Sequence, residues 1–203
     1  MHNIVRTILD FIYPPSPEAL LLRAEETQDF TRHYQPRKIK QTICLSRYQK
    51  PVIRAAVHLN KYHADKSATM LLAKLLETWL DHQTHPLTLV PIPLSTSRQR
   101  DRGYNQVQQI LDQLPAEYRT TVKPLLCRAH NTAPQTKLDR KNRIANMTDA
   151  FTVRSRQCRA LHKETVIIID DVYTTGATMQ AALTALRPHL PKTCSLQTVA
   201  LAH

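Results

Sequence analysis

Two adjacent carboxylates, Asp170 and Asp171, followed closely by three threonines and a glycine, form the densest group of reactive side chains in the sequence. The apolar run Val166-Ile167-Ile168-Ile169 precedes them, and Val172-Tyr173-Thr174-Thr175-Gly176-Ala177-Thr178 follows. Burying a lone charge is costly, so two acids in succession belong where partners can reach them. At the end of a strand they can accept hydrogen bonds from a vicinal diol. Thr174, Thr175 and Thr178 offer hydroxyl donors, and Gly176 lets backbone N–H groups turn toward one point. A helix starting there adds its amino-terminal amides and the positive end of its dipole. A phosphate cup beside a diol clamp describes a site for a ribose 5-phosphate. No GxxxxGK[ST] occurs in the sequence, which excludes a Walker loop.

The elements that must position this group follow from the pattern around it. A strand of four β-branched residues, apolar on both faces, belongs in the middle of a covered parallel sheet. In such sheets ligands bind beyond the carboxyl ends of the strands. Strands are expected at 38–45, 87–93, 122–127, 151–153, 165–170 and 195–200. Helices are expected at 1–12, 51–62, 66–84, 96–114 with an interruption near Gly103, and 177–186. In the third of these, Met70, Leu71, Leu72, Leu75, Leu76 and Leu80 line one face at helical spacing and are expected in the core. Residues 137–147 read as a charged helical or mobile segment. Strands alternating with helices imply an α/β fold with a parallel sheet.

Composition limits the partners. Of 203 residues, 42% are apolar, enough for one domain with a core, and no stretch reaches the roughly 18 apolar residues of a membrane span. The first residues carry Arg6 and Asp10 and no small-residue cleavage site, so a signal peptide is not expected and a cytoplasmic location is. The four cysteines, Cys44, Cys127, Cys158 and Cys194, form no CxxC pair, and the ten histidines show no HExxH spacing, so no metal-ligating set is expected. Formal net charge is +12, and residues 91–163 hold 14 of the 28 Lys and Arg against five Asp and Glu. So basic a segment attracts polyanions, either diphosphates or a nucleic-acid backbone. Average usage of about 7% would give about 14 glycines. The two present, Gly103 and Gly176, are expected where φ is positive or where a ligand comes close.

The segment 166–178 resembles the signature of the type I phosphoribosyltransferases. Two further blocks narrow the resemblance. One is Val90-Pro91-Ile92-Pro93-Leu94 with Arg98, Arg100 and Arg102-Gly103-Tyr104-Asn105-Gln106. The other is Gln135, Leu138, Arg143 and Asn146 followed by Ala150-Phe151-Thr152-Val153. In this order they resemble the ComF family, competence-associated proteins with amidophosphoribosyltransferase-like relatives. The resemblance covers about residues 38–203 and implies a parallel-sheet type I phosphoribosyltransferase fold behind a small extension, 1–37. Family members commonly carry a four-cysteine zinc ribbon after a Phe-Pro-Pro stretch. Here Tyr13-Pro14-Pro15 is followed by no cysteine before Cys44, so that module reads as lost.

The resemblance implies a site for phosphoribosyl diphosphate, with Asp170 and Asp171 on the ribose hydroxyls and residues 174–178 on the 5-phosphate. Mg²⁺ is then held mainly by the ligand's own diphosphate. Tyr173 either stacks on the ligand or packs into the protein. Lys61-Tyr62 matches a Lys-aromatic pair of the family, and is either a diphosphate-binding turn or an exposed lysine beside a packed tyrosine. Arg98, Arg100 and Arg102 are either a hood over the diphosphate or a solvated stretch. Arg143 and Asn146 are expected on a mobile lid. In function the resemblance implies uptake or processing of transforming DNA, with single-stranded DNA and a competence helicase as partners. The site chemistry alone points instead to a transferase moving ribose 5-phosphate to a base or amine with release of diphosphate. A sensor whose lid closes on the sugar diphosphate is a third reading.

Overall fold

The computed structural model describes residues 14–25, 30–83, 86–129 and 150–203. A five-stranded sheet runs in the order β1-β2-β7-β6-β3, formed by β1 (Arg37–Ile39), β2 (Thr42–Ser46), β3 (Leu87–Pro91), β6 (Thr165–Val172) and β7 (Ser195–Ala202). Only β1 is antiparallel to its neighbour; β2, β7, β6 and β3 are mutually parallel. The expected α/β class with a parallel sheet is what the chain adopts. A two-stranded antiparallel ribbon of β4 (Leu126–Arg128) and β5 (Phe151–Val153) stands apart from the sheet.

The β-branched run at 166–169 lies in β6, flanked by β7 and β3, and its side chains alternate between two apolar layers. Ile167 and Ile169 face a core built on α2 (Pro51–His63), α3 (Lys66–Leu80) and α5 (Gln106–Asp112). Val166 and Ile168 face the opposite layer, with Met179, Ala182, Leu183 and Leu186 of α8 (Ala177–Leu186). The remaining helices are α1 (Pro17–Arg23), α4 (Thr96–Arg102), α6 (Ala116–Arg119) and α7 (Ser155–Arg159). Leu22 of α1 and Phe30 beyond it are buried in the first core.

Several expectations change. The strand expected over 38–45 is a hairpin, because Lys40 takes the left-handed conformation (φ 53°) and turns the chain. The strand expected over 122–127 starts only at Leu126. Pro124 has no N–H to give a ladder, and Val122 makes just an isolated bridge to Leu89. Met70 is 46% exposed; the buried stripe of α3 runs through Ala68, Leu72, Leu75, Leu76 and Trp79. The interruption expected near Gly103 within 96–114 is present, and divides that stretch into α4 and α5. The expected helix 1–12 and the segment 137–147 lie outside the described residues.

Candidate functional site: a cationic cleft around two strand-borne acids

The carboxyl ends of β2, β7, β6 and β3 share one edge of the sheet, and the acids stand there. They belong to β6 itself rather than to the turn beyond it, since Asp170 pairs with Ala200 and Val172 with Ala202. Successive strand residues point to opposite faces. Asp171 continues the row of Ile167 and Ile169 and is buried on the side of α2 and α5. Its Oδ2 accepts a hydrogen bond from Gln106 Nε2 at 3.2 Å and lies 3.7 Å from Lys61 Nζ. Its Oδ1 accepts from the amide of Val172 at 2.8 Å. Asp170 continues the other row. Its Oδ1 accepts from the amide of Asp171 at 2.9 Å. Burial, and then the neighbouring Asp171 charge, push the Asp170 carboxyl well above the usual carboxylate range; Lys61 pulls weakly the other way.

Both acids line a cleft of about 600 Å³ together with Thr174 and Thr178. Lys61, Tyr62, Arg98 and Arg128 complete its polar wall. Thr175, Gly176 and Ala177 border a second cavity of about 600 Å³, which also meets Lys40, Gln41 and Met179. The expected phosphate turn thus has two sides, and only Thr174 and Thr178 share the cleft with the acids. Tyr173 borders both cavities. It is buried and packs into the protein: Cζ would lie 2.5 Å from a Cβ built on Gly176. Gly176 is therefore required by its φ of 80° and by its own neighbour's ring.

The Arg-Gly-Tyr-Asn-Gln block is a bracket for the site. Gly103 (φ 76°) ends α4 in the left-handed conformation. The Tyr104 hydroxyl donates to Asn60 O at 3.0 Å and accepts from the Ala64 amide at 2.9 Å, tying down the end of α2 that carries Lys61 and Tyr62. Asn105 caps α5 by accepting from the Val107 amide at 2.9 Å, and its Nδ2 donates to Ile92 O at 2.9 Å. Gln106 holds Asp171 with its amide nitrogen and accepts from Arg102 Nη1 at 3.3 Å with its oxygen. Arg102 Cζ in turn sits 5.2 Å from the centre of the Tyr62 ring.

The structure places the expected residues unevenly. Lys61 reaches Asp171 while Tyr62 is 56% exposed, the reverse of an exposed lysine beside a packed tyrosine. Arg98 lines the cleft; Arg102 acts at one remove, through Tyr62 and Gln106. Arg100 is exposed and does not line it. Arg143 and Asn146 lie outside the described residues. Sequence reading missed Arg128 and His58, which line the cleft, and the supporting role of Gln106. Gln106 was visible inside its motif, but nothing in the spacing tied it to Asp171. Among the described residues no group of three His, Cys, Asp or Glu is arranged to hold a metal, and no helix is long and apolar enough to cross a membrane.

Fold and cleft together define an α/β domain with a polar ligand site at the carboxyl edge of a mostly parallel sheet. The chain is similar to ComF-type competence proteins. It is 29% identical to Competence protein F of Haemophilus influenzae over 131 residues, 63% of this chain and 57% of that protein. It is 34% identical to Competence protein ComFC of Bacillus subtilis over 98 residues, 48% of this chain and 37% of that protein. The matches thus span about half the length of these relatives, or less. No protein-family model matches the chain. A solved hypoxanthine phosphoribosyltransferase from Staphylococcus aureus aligns over 66% of this chain and 61% of its own, at 18% identity and a TM-score of 0.36, too low to carry an argument.

Proposed function

We propose that the cleft binds phosphoribosyl diphosphate with Mg²⁺, and that the protein serves in uptake or processing of transforming DNA. The observation that carries the ligand is the convergence of Asp170, Asp171, Thr174, Thr178 and Lys61 on one cavity. Acids for a diol, hydroxyls for a phosphate and an ammonium for a diphosphate are the parts such a ligand needs. The similarity to competence proteins supports the DNA role.

The residues fit a ligand-borne Mg²⁺ better than a resident one. Asp171 already has three partners, whereas among the described residues no hydrogen bond reaches Asp170 Oδ2. One free carboxylate oxygen suits a cation that takes its other ligands from phosphates and water. When bound, the ion neutralises diphosphate charge. This chain's part is to orient the sugar and offset charge at the cleft wall. Lys61 on the wall also favours a transferase reading, because it would stabilise diphosphate as it leaves.

Calorimetric titration with phosphoribosyl diphosphate and Mg²⁺, on wild type and on D170N/D171N, tests the ligand. Losing two charge-assisted hydrogen bonds of about 1.5 kcal/mol or more each should weaken Kd at least about a hundredfold while the fold persists. A wild type that shows no binding, or a folded double variant that binds equally well, refutes the reading. Single-stranded DNA affinity measured across a salt series tests the second part; it should fall steeply as salt rises.

A further inference from the structure

The proposed donor leaves one part of the cleft unexplained. Arg128, at the end of β4, is fixed rather than mobile. Its Nε donates to Pro93 O at 3.3 Å, and its guanidinium lies 4.5 Å from the centre of the Phe151 ring, which belongs to the residue paired with it across the ribbon. Among the described residues its two amino ends meet no hydrogen-bond acceptor and no carboxylate within 4 Å. The second cation of this wall, Arg98, lines the same cavity and repels it. Both effects, burial first and Arg98 second, hold the Arg128 guanidinium below its ordinary range, with Asp170 offsetting them in part. A half-buried cation with no carboxylate of a described residue within 4 Å is stabilised when an anion arrives.

The cations reach the cleft from different elements. Lys61 stands beside Asp171, on the face of α2 and α5. Arg128 reaches the same cavity from the β4–β5 ribbon, held on the Pro93 carbonyl. Thr174 and Thr178 for the 5-phosphate and Lys61 for the diphosphate account for both anionic groups of the donor.

We propose that Arg128 and Arg98 form a separate anion subsite that seats a carboxylate or phosphate of a second ligand, the molecule that meets the sugar diphosphate in this cleft. The proposal rests on the donor reading above. Two guanidinium forks match either acid, and Ile92 and Leu94 of the same cleft give the rest of that ligand an apolar wall.

The experiment takes the full chain and titrates the donor with Mg²⁺ first, which reports on the donor reading by itself. The loaded protein is then titrated with benzoate, phenyl phosphate and neutral benzamide. At least one acid should bind about tenfold or more tighter than benzamide, and the preferred one identifies the acid class. R128M should abolish that preference while changing donor affinity less than about threefold, and R98Q, at an exposed position that leaves folding intact, should weaken the acid by about tenfold. Benzamide binding as well as both acids, or no acid binding to the loaded protein, overturns the subsite. So does R128M or R98Q losing donor affinity about tenfold, which would assign the guanidinium to the diphosphate and leave the donor reading standing.

Discussion

Replacing Gly176 by alanine tests how the phosphate turn is held. Two costs can be worked from the geometry. At φ 80° an alanine enters the left-handed region, which costs about 1–2 kcal/mol. Its Cβ would also stand 2.5 Å from Tyr173 Cζ and 2.9 Å from Cε2, with the hydroxyl nearer still, so the ring must move. Overpacking of that kind costs about 1–3 kcal/mol. The sum is about 2–5 kcal/mol, which for a chain of this size lowers Tm by about 4 °C at the least. Urea melts of G176A, Y173A and G176A/Y173A separate the two. Removing the ring relieves the clash and leaves the backbone strain, so the double variant should be more stable than additivity predicts by about 1–3 kcal/mol. The same ring displacement should shift Thr174 and Thr178 and weaken donor binding in G176A. Strict additivity, or a G176A cost below about 1 kcal/mol, would mean that Tyr173 does not brace the turn as described.

Two further outcomes follow from the acids. Gln106→Leu removes a buried donor to a charged oxygen, so stability should fall by about 1.5–3 kcal/mol in urea melts and donor affinity should fall with it, because Asp171 Oδ2 then keeps only the more distant Lys61 among the described residues. An affinity loss with unchanged stability would place Gln106 on the ligand instead. Asp170 titrates above the usual carboxylate range, so the folded state holds its proton more tightly than the unfolded chain does. Its contribution to stability is therefore fully present below about pH 4 and lost as pH rises through the raised value. D170N should flatten that decline in Tm and stabilise the protein near neutrality. Donor affinity of the wild type should rise across the same pH window, since the ionised form is the one that meets a cation; pH-independent affinity would separate Asp170 from the ligand.

Local chemistry was legible in the sequence where one element carried it. The β-branched run, the acids and the threonine turn are contiguous, so strand, site edge and helix start could be read directly. The division at Gly103 was readable for the same reason. What could not be read was set by tertiary partners. The Lys40 turn splits an apparently continuous strand because the hairpin must return to pair with β7 through β2. Met70 looks apolar and periodic, but the stripe of α3 is chosen by what packs on it. Arg128 has no motif, because its place depends on Phe151, which follows it by 23 positions, and on the Pro93 carbonyl.

The adjacency of the acids explains why the site needs support from such distant segments. Within a strand, neighbouring side chains cannot share a face. A single helix could not satisfy both. The chain answers with two structures: α2 and α5 bring Lys61 and Gln106 to Asp171, and the ribbon of β4 and β5 brings Arg128 into the same cleft. The first is assembled by the bracket from Gly103 to Gln106, which fixes the end of α2 and the start of α5 at once. The second stands outside the main sheet, and the carbonyl of Pro93, past the end of β3, holds its Arg128 side chain. An acid pair placed in a strand therefore draws its cleft wall from separate segments of the chain, and a ligand that spans the wall meets Lys61 and Arg128 on different elements.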